Sequence, residues 1–169
     1  PEQARAFHQG LKTICDRYHA DFYVRFKQWA DDYFYSPHRE ETRGIGGIFF
    51  DYLKSNTAEE KENTFYFVKK IGESFVPIYS HLMQLNSDKS FGQQEKDFQL
   101  LRRGRYVEFN LVHDRGTKFG LETNGRTESI LMSMPPMASW EYMHDSSQFP
   151  EGQKTMDLLK KGVDWLALK

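Results

Sequence analysis

The chain has a single cysteine, Cys15, in 169 residues, which excludes an intrachain disulfide and a cysteine-rich zinc site and fits a reducing compartment. On the apolar side of a helical pattern, that thiol reads as a small buried hydrophobe rather than a nucleophile. An excess of charge is missing too. With 23 basic and 24 acidic side chains the net charge is −1, so no global field draws the protein to nucleic acid or an anionic membrane, and any anion site must be local. No apolar run approaches the ~20 residues of a membrane helix, so stable membrane insertion is not expected. Catalytic signatures are also scarce: there is no His-Glu-x-x-His, no Gly-x-Ser-x-Gly elbow and no Gly-Lys-Ser/Thr phosphate loop. "TRGIGGIFF", residues 42–50, has the glycines of a dinucleotide fingerprint but Phe49 where its last glycine belongs. Those glycines therefore read as the close-packed entrance of a strand, with Arg43 either paired to an acid such as Glu41 or Asp51 or facing a cleft.

Aromatic residues, by contrast, are plentiful at 15 %, mostly as 14 Phe and 9 Tyr, and suit a well-packed core. The length fits one domain spanning 1–169. Apolar steps of three and four from Phe7 through Leu11, Ile14, Tyr18, Phe22, Phe26 and Trp29 to Tyr33 predict one long helix, stopped before Pro37. "IGGIFFDYL" predicts a strand. Thr57 and Glu60 have capping-box spacing and open a second helix from about Ala58 into the eighties, which Pro77 should kink or break near Ser74. A short helix ending near Leu101 follows. The alternation of "GRYVEFNLV" predicts a half-buried strand, and "TKFGLET" and "TESILMSM" two more, with Asn124-Gly125 as the hairpin turn between them. "DLLKKGVDWLALK" predicts a closing helix with a glycine interruption. Together these elements give an α+β fold in which an antiparallel sheet is flanked by helices.

Arginines stand at the expected strand ends and loops: Arg39, Arg43, Arg102, Arg103, Arg105, Arg115 and Arg126. Guanidinium matches carboxylate or phosphate in a planar, two-pronged way, so converging arginines suit a ligand with several carboxylates. The alternative is that each pairs with a nearby acid such as Glu41, Asp51, Glu108, Asp114 or Glu128. The six histidines show no metal spacing; His8 reads as a helix-surface residue, and His38 as either a turn or a site residue. "LRRGRYVEF" lacks a full RNA-binding pattern, so no nucleic-acid partner is expected.

Taken together, "HREETRGIGGIFFDYL", "LRRGRYVEFNLVHDRGTKFGLETNGRTESILMSMPP", "WEY" and the helix "FYVRFKQWADDYFY" resemble the oxygen-dependent coproporphyrinogen III oxidase family of haem biosynthesis. The likeness runs over nearly the whole chain, with Ala30 where the family usually has cysteine. It implies a homodimeric oxidoreductase that oxidatively decarboxylates two propionates of coproporphyrinogen III to give protoporphyrinogen IX. It uses dioxygen and requires no other cofactor, with a divalent metal as an open alternative.

By the same resemblance, Asn124, Gly125, Arg126 and Arg103 are substrate contacts, and the dimer interface runs from about Tyr106 to Tyr142. His8 and His38 match two of four histidines proposed as metal ligands, and are otherwise structural or cleft-lining. The family's acid/base histidine has no counterpart here, so no catalytic residue is expected in this chain, which reads as a carboxy-terminal portion, inactive alone. Without the remainder, the apolar face beginning at Phe7 and one sheet edge should be exposed. The other readings are a non-catalytic module that binds porphyrin carboxylates and one that serves dimerisation. The expected compartment is the cytoplasm, with the mitochondrion as the alternative.

Overall fold

The computed structural model describes residues 1–168. Its elements are α1 (Glu2–Tyr18), α2 (Phe22–Tyr33), the two-residue strands β1 (Tyr35–Ser36) and β2 (Glu41–Thr42), α3 (Ala58–Gln84), α4 (Gln93–Val112), α5 (Arg115–Glu122), α6 (Thr127–Leu131) and α7 (Pro150–Met156). The α+β class stands in a helix-dominated form, and among the described residues β1 and β2 make the only sheet. The chain divides into two compact units: residues 1–35, 44–89 and 160–169, and residues 36–43 and 90–159.

The first unit is built on aromatic packing. Phe22, Phe26, Phe50 and Phe67 bring ring centroids within 4.8–6.0 Å of one another, and Leu11, Cys15 and Tyr23 complete the buried set. Cys15 is fully buried, and burial pushes its thiol up to about 11, as an inert small hydrophobe requires. The continuous apolar pattern from Phe7 to Tyr33 resolves into two helices, because the chain turns extended at His19 and restarts at Phe22. The four-residue step from Tyr18 to Phe22 hides that break. "IGGIFFDYL" is not a strand: it pairs with no strand among the described residues and is irregular, with the Phe49 N–H donating to the Phe26 carbonyl at 3.0 Å and Ile48, Phe50 and Leu53 packed on the core. Its glycines have a backbone reason: Gly46 and Gly47 take φ of +73° and +158°, conformations that residues with a side chain rarely adopt.

In α3, Thr57 and Glu60 form the expected capping box, and the helix passes through Pro77 unbroken. Phe67 is its one buried residue, while Phe65, Val68, Val76, Tyr79 and Met83 form an exposed stripe. Much of the exposed apolar surface of this unit therefore lies on α3, whereas the face beginning at Phe7 is buried or partly buried against the core. Near the end of the chain, Gly162 at φ +75° forbids the expected closing helix. Its residues form turns instead, and Trp165 stacks on His8 at 5.6 Å. Lys169 lies outside the described residues.

The second unit centres on α4. "GRYVEFNLV" is helix rather than strand, and its buried positions Leu101, Arg105 and Phe109 recur every four residues. Gly104 lets the backbone of Ser139 approach, since a Cβ there would stand 2.4 Å from the Ser139 carbonyl oxygen. "TKFGLET" falls in α5, capped by the Asp114 carboxylate accepting from the Thr117 N–H at 2.7 Å. "TESILMSM" gives the short α6 followed by turns.

Asn124-Gly125 is a helix terminus rather than a hairpin turn. Asn124 is left-handed at φ +60°, and the Gly125 N–H donates to the Gly120 carbonyl at 3.0 Å, closing α5 in a Schellman arrangement. A side chain at Gly125 would fall 2.8 Å from that carbonyl oxygen and 3.1 Å from Ile130.

Candidate functional site

In the second unit the β1–β2 turn faces α4, and its polar side chains converge on one carboxylate. Glu108 accepts from Arg39 through both oxygens, Nε to Oε2 at 2.9 Å and Nη2 to Oε1 at 2.7 Å. Arg105 donates to Oε1 at 3.0 Å, Trp140 Nε1 to Oε1 at 2.9 Å, and His38 Nε2 to Oε2 at 2.9 Å. Led by the Arg39 hydrogen bonds, this surround holds the Glu108 carboxyl down at about 2 against its own burial. Because His38 Nε2–H donates to Glu108, His38 Nδ1 accepts from His113 Nε2 at 2.9 Å while His38 is neutral. The two rings share one proton at that contact, since two N–H groups cannot face each other there. Burial, then the charges of His38 and Lys118, lowers the His113 ring below its ordinary value.

Beside this hub, Arg102 donates to Glu41 at 2.8 Å. Arg43 lies over the rings of Tyr106 and Phe109, 4.8 and 5.0 Å from their centroids. Arg43, Arg102 and Arg103 line a cavity of about 340 Å³ together with Gln99, Tyr106, Ser133 and Pro135. Three arginines thus pair with Glu41 or Glu108, as the alternative reading had it. Arg39, Arg102 and Arg105 pair with these two carboxylates, and Arg43 and Arg103 line the cavity beside them.

The residues expected at the site are distributed unevenly. Arg103 lines the cavity. Asn124, Gly125 and Arg126 lie exposed at the α5–α6 junction, where Arg126 is the residue before α6 and does not line that cavity. His38 joins the Glu108 hub. His8, in the first unit, is fully buried rather than on a helix surface: its Nε2 donates to the Ile45 carbonyl at 2.9 Å and its Nδ1 accepts from the Tyr23 hydroxyl at 3.0 Å. Burial lowers the His8 ring and raises Tyr23 to about 12, so both stay neutral.

A ring with both nitrogens engaged has no lone pair to spare for a metal, and among the described residues no group of three or more ligating side chains could hold one. The donor set does not fit a metal ion, and no step is routed through one. The residues that sequence reasoning underrated are Glu108, foreseen only as one of several acids that could neutralise an arginine, and His113.

The family model described as coproporphyrinogen III oxidase matches residues 1–165. The chain belongs to that family. Among curated members of the coproporphyrinogen III oxidase family, it is 50% identical over 166 residues to the oxygen-dependent coproporphyrinogen-III oxidase of Drosophila melanogaster, covering 98% of this chain and 42% of the relative. It is 52% identical to the mitochondrial enzyme of Homo sapiens and 51% identical to that of Rattus norvegicus, again over 98% of this chain, and covers 36% and 37% of those relatives. The chain therefore spans about two fifths of the length of these family members.

Proposed function

We propose that this chain is the substrate-orienting portion of an oxygen-dependent coproporphyrinogen III oxidase, acting on coproporphyrinogen III in haem biosynthesis. The observation that carries the reading is the arginine cluster along α4, with Arg39, Arg102 and Arg105 paired to Glu41 or Glu108 and Arg103 lining the cavity beside them, in a chain about half identical to enzymes of that name. In the reaction each of two propionate carboxylates loses carbon dioxide, two electrons and one proton to become vinyl, and dioxygen takes up the electrons together with these protons and others from solvent. Arginines that grip the carboxylates align each arm, and such positioning is a substantial part of catalysis. The relatives are named for oxygen dependence, which supports dioxygen as the oxidant.

Arg103 contributes from the cavity, and Asn124, Gly125 and Arg126 contact the substrate from the exposed α5–α6 junction. The His38–His113 contact can hold one proton beside the Glu108 carboxylate, but it supplies no complete acid/base catalyst. The proton-handling group belongs to sequence outside these 169 residues, so this chain alone does not turn over. The protein works as a homodimer through about Tyr106 to Tyr142, a stretch supported by exposed apolar side chains at Phe119, Met132, Met137 and Tyr142. Two relatives are named mitochondrial, which favours that compartment over the cytoplasm.

The test is turnover of coproporphyrinogen III under air, followed by porphyrin fluorescence, for the 169-residue chain and for a longer gene product that contains it. The longer protein should be active and the short one silent. Equal turnover by the short chain would refute the division of labour, and inactivity of both would refute the enzyme reading.

A further inference from the structure

We propose that the outer face of α3 is the seat on which sequence of the longer family protein packs, with its backbone closest at Gly72. The inference goes beyond the function proposed above and rests on it only in that the longer protein holds the proton-handling group that this chain lacks.

α3 carries two apolar faces. One, made by Phe67, Ile71, Ile78 and Leu82, is buried or half-buried on the side of α1, where the Tyr18 and Phe67 rings meet at 5.5 Å and Gly10 makes room for Ile78: a Cβ at Gly10 would stand 2.6 Å from that side chain. At about 100° per residue, Phe65, Val68, Phe75, Val76, Tyr79 and Met83 fall together on the next arc, roughly 100° wide. All of these are 47–65 % exposed. Glu62, Lys69, Lys70 and Glu73 occupy the remaining side. The charges mark the side that faces water, and the second apolar face is not on it. A helix apolar over more than half of its circumference is one that is covered on more than one side.

Gly72 supplies an independent observation. It lies in the middle of the exposed face, one turn from Val68 and Val76 and two turns from Phe65 and Tyr79, and a Cβ there would meet nothing within 4 Å among the described residues. Glycine inside a helix is destabilising unless another group needs the space, the use that Gly10 shows on the covered face. Two features identify the occupant. The exposed face holds no charged side chain, which suits a polypeptide element with an apolar side of its own. The relatives are also longer: the matched portion covers 36–42% of them, so more than half of each lies outside it. An element on the same polypeptide meets α3 at a high effective concentration, an advantage that a second copy lacks.

Thiol labelling tests the seat, because Cys15 is fully buried and an introduced cysteine is the reactive one in the 169-residue chain. Val76→Cys and Met83→Cys should react quickly with a maleimide in that chain and at least about tenfold more slowly in the longer gene product that contains it, the modified site being read by peptide mass. Glu62→Cys, on the charged side, should react alike in both. Gly72→Leu has room in the short chain and should restore fast labelling of Val76→Cys in the longer one. If Val76→Cys and Met83→Cys react as fast in the longer protein as in the short one, the seat is wrong. If their labelling in the short chain slows as its concentration rises, a second copy is the occupant and the proposal fails. If Gly72→Leu leaves labelling slow, no backbone comes close at Gly72, and that part of the proposal fails. Turnover is read separately: an active longer protein with an open α3 overturns the seat alone, whereas an inactive one with a shielded α3 overturns the enzyme reading and leaves the seat.

Discussion

At the residue scale, one buried and one partly buried titratable group tie folding to pH in separate windows. Glu108 is held at about 2, below its ordinary 4.5, first of all by Arg39. Between those values the unfolded chain binds a proton that the folded chain refuses. The stability Glu108 contributes is therefore complete above about pH 4.5 and lost as pH falls toward 2. His8 acts higher on the scale. Burial lowers its ring from 6.5, so the unfolded state again binds the proton first, and stability declines as pH drops below 6.5; the more exposed His113 adds to this in the same direction.

Urea midpoints at pH 7.5, 5.5 and 3.5 should fall in two steps. Glu108→Gln should lose about 2–4 kcal/mol at pH 7.5, because it leaves Arg39 and Arg105 without their carboxylate. In that variant the decline from 7.5 to 5.5 should persist while the decline from 5.5 to 3.5 shrinks. A second step undiminished in Glu108→Gln would mean that another carboxylate controls it.

At the scale of elements, α4 shows why glycine must be judged by its surroundings. Gly104 and Gly72 are both interior helix positions, where glycine is about 1 kcal/mol worse than alanine. A Cβ at Gly104 would stand 2.4 Å from a backbone oxygen, whereas at Gly72 nothing lies within 4 Å. Gly104→Ala should therefore destabilise by about 1–3 kcal/mol through overpacking, and Gly72→Ala should stabilise by up to about 1 kcal/mol, both read from urea unfolding. Equal effects would mean that the Ser139 segment yields freely.

The same helix explains what the sequence could and could not disclose. Counting apolar residues alone, Val107, Phe109 and Leu111 alternate like a strand, while the buried stripe Leu101, Arg105 and Phe109 includes an arginine that no hydrophobic pattern would count. Asn-Gly signals a backbone with positive φ but does not tell a hairpin from a Schellman terminus, since both use it. The Thr57 cap and the aromatic core were legible because each rests on local chemistry or on simple helical period. The cationic character of the site could be read from arginine count and placement. Its centre could not, because Glu108 gains its role only when the β1–β2 turn and α4 bring Arg39, His38 and Arg105 to it.

For the whole molecule, the proposed dimer needs an apolar surface on which two copies would meet. Both units expose large apolar side chains, among them Val76 and Tyr79 on α3 in the first and Phe119, Met132 and Tyr142 in the second. Exposed apolar patches mark interaction surfaces, and a twofold dimer uses the same patch on both copies. The proposed dimer runs through the second unit, so charge placed there should be far more damaging than charge on α3. Sedimentation of the 169-residue chain should show a dimer. Met132→Glu combined with Tyr142→Glu, which lies at exposed positions and spares the Glu108 hub, should give monomers with unchanged helical circular dichroism. Val76→Glu with Tyr79→Glu should remain dimeric. The reverse result would place self-association on α3, because a like charge on each copy penalises only the face where the copies meet.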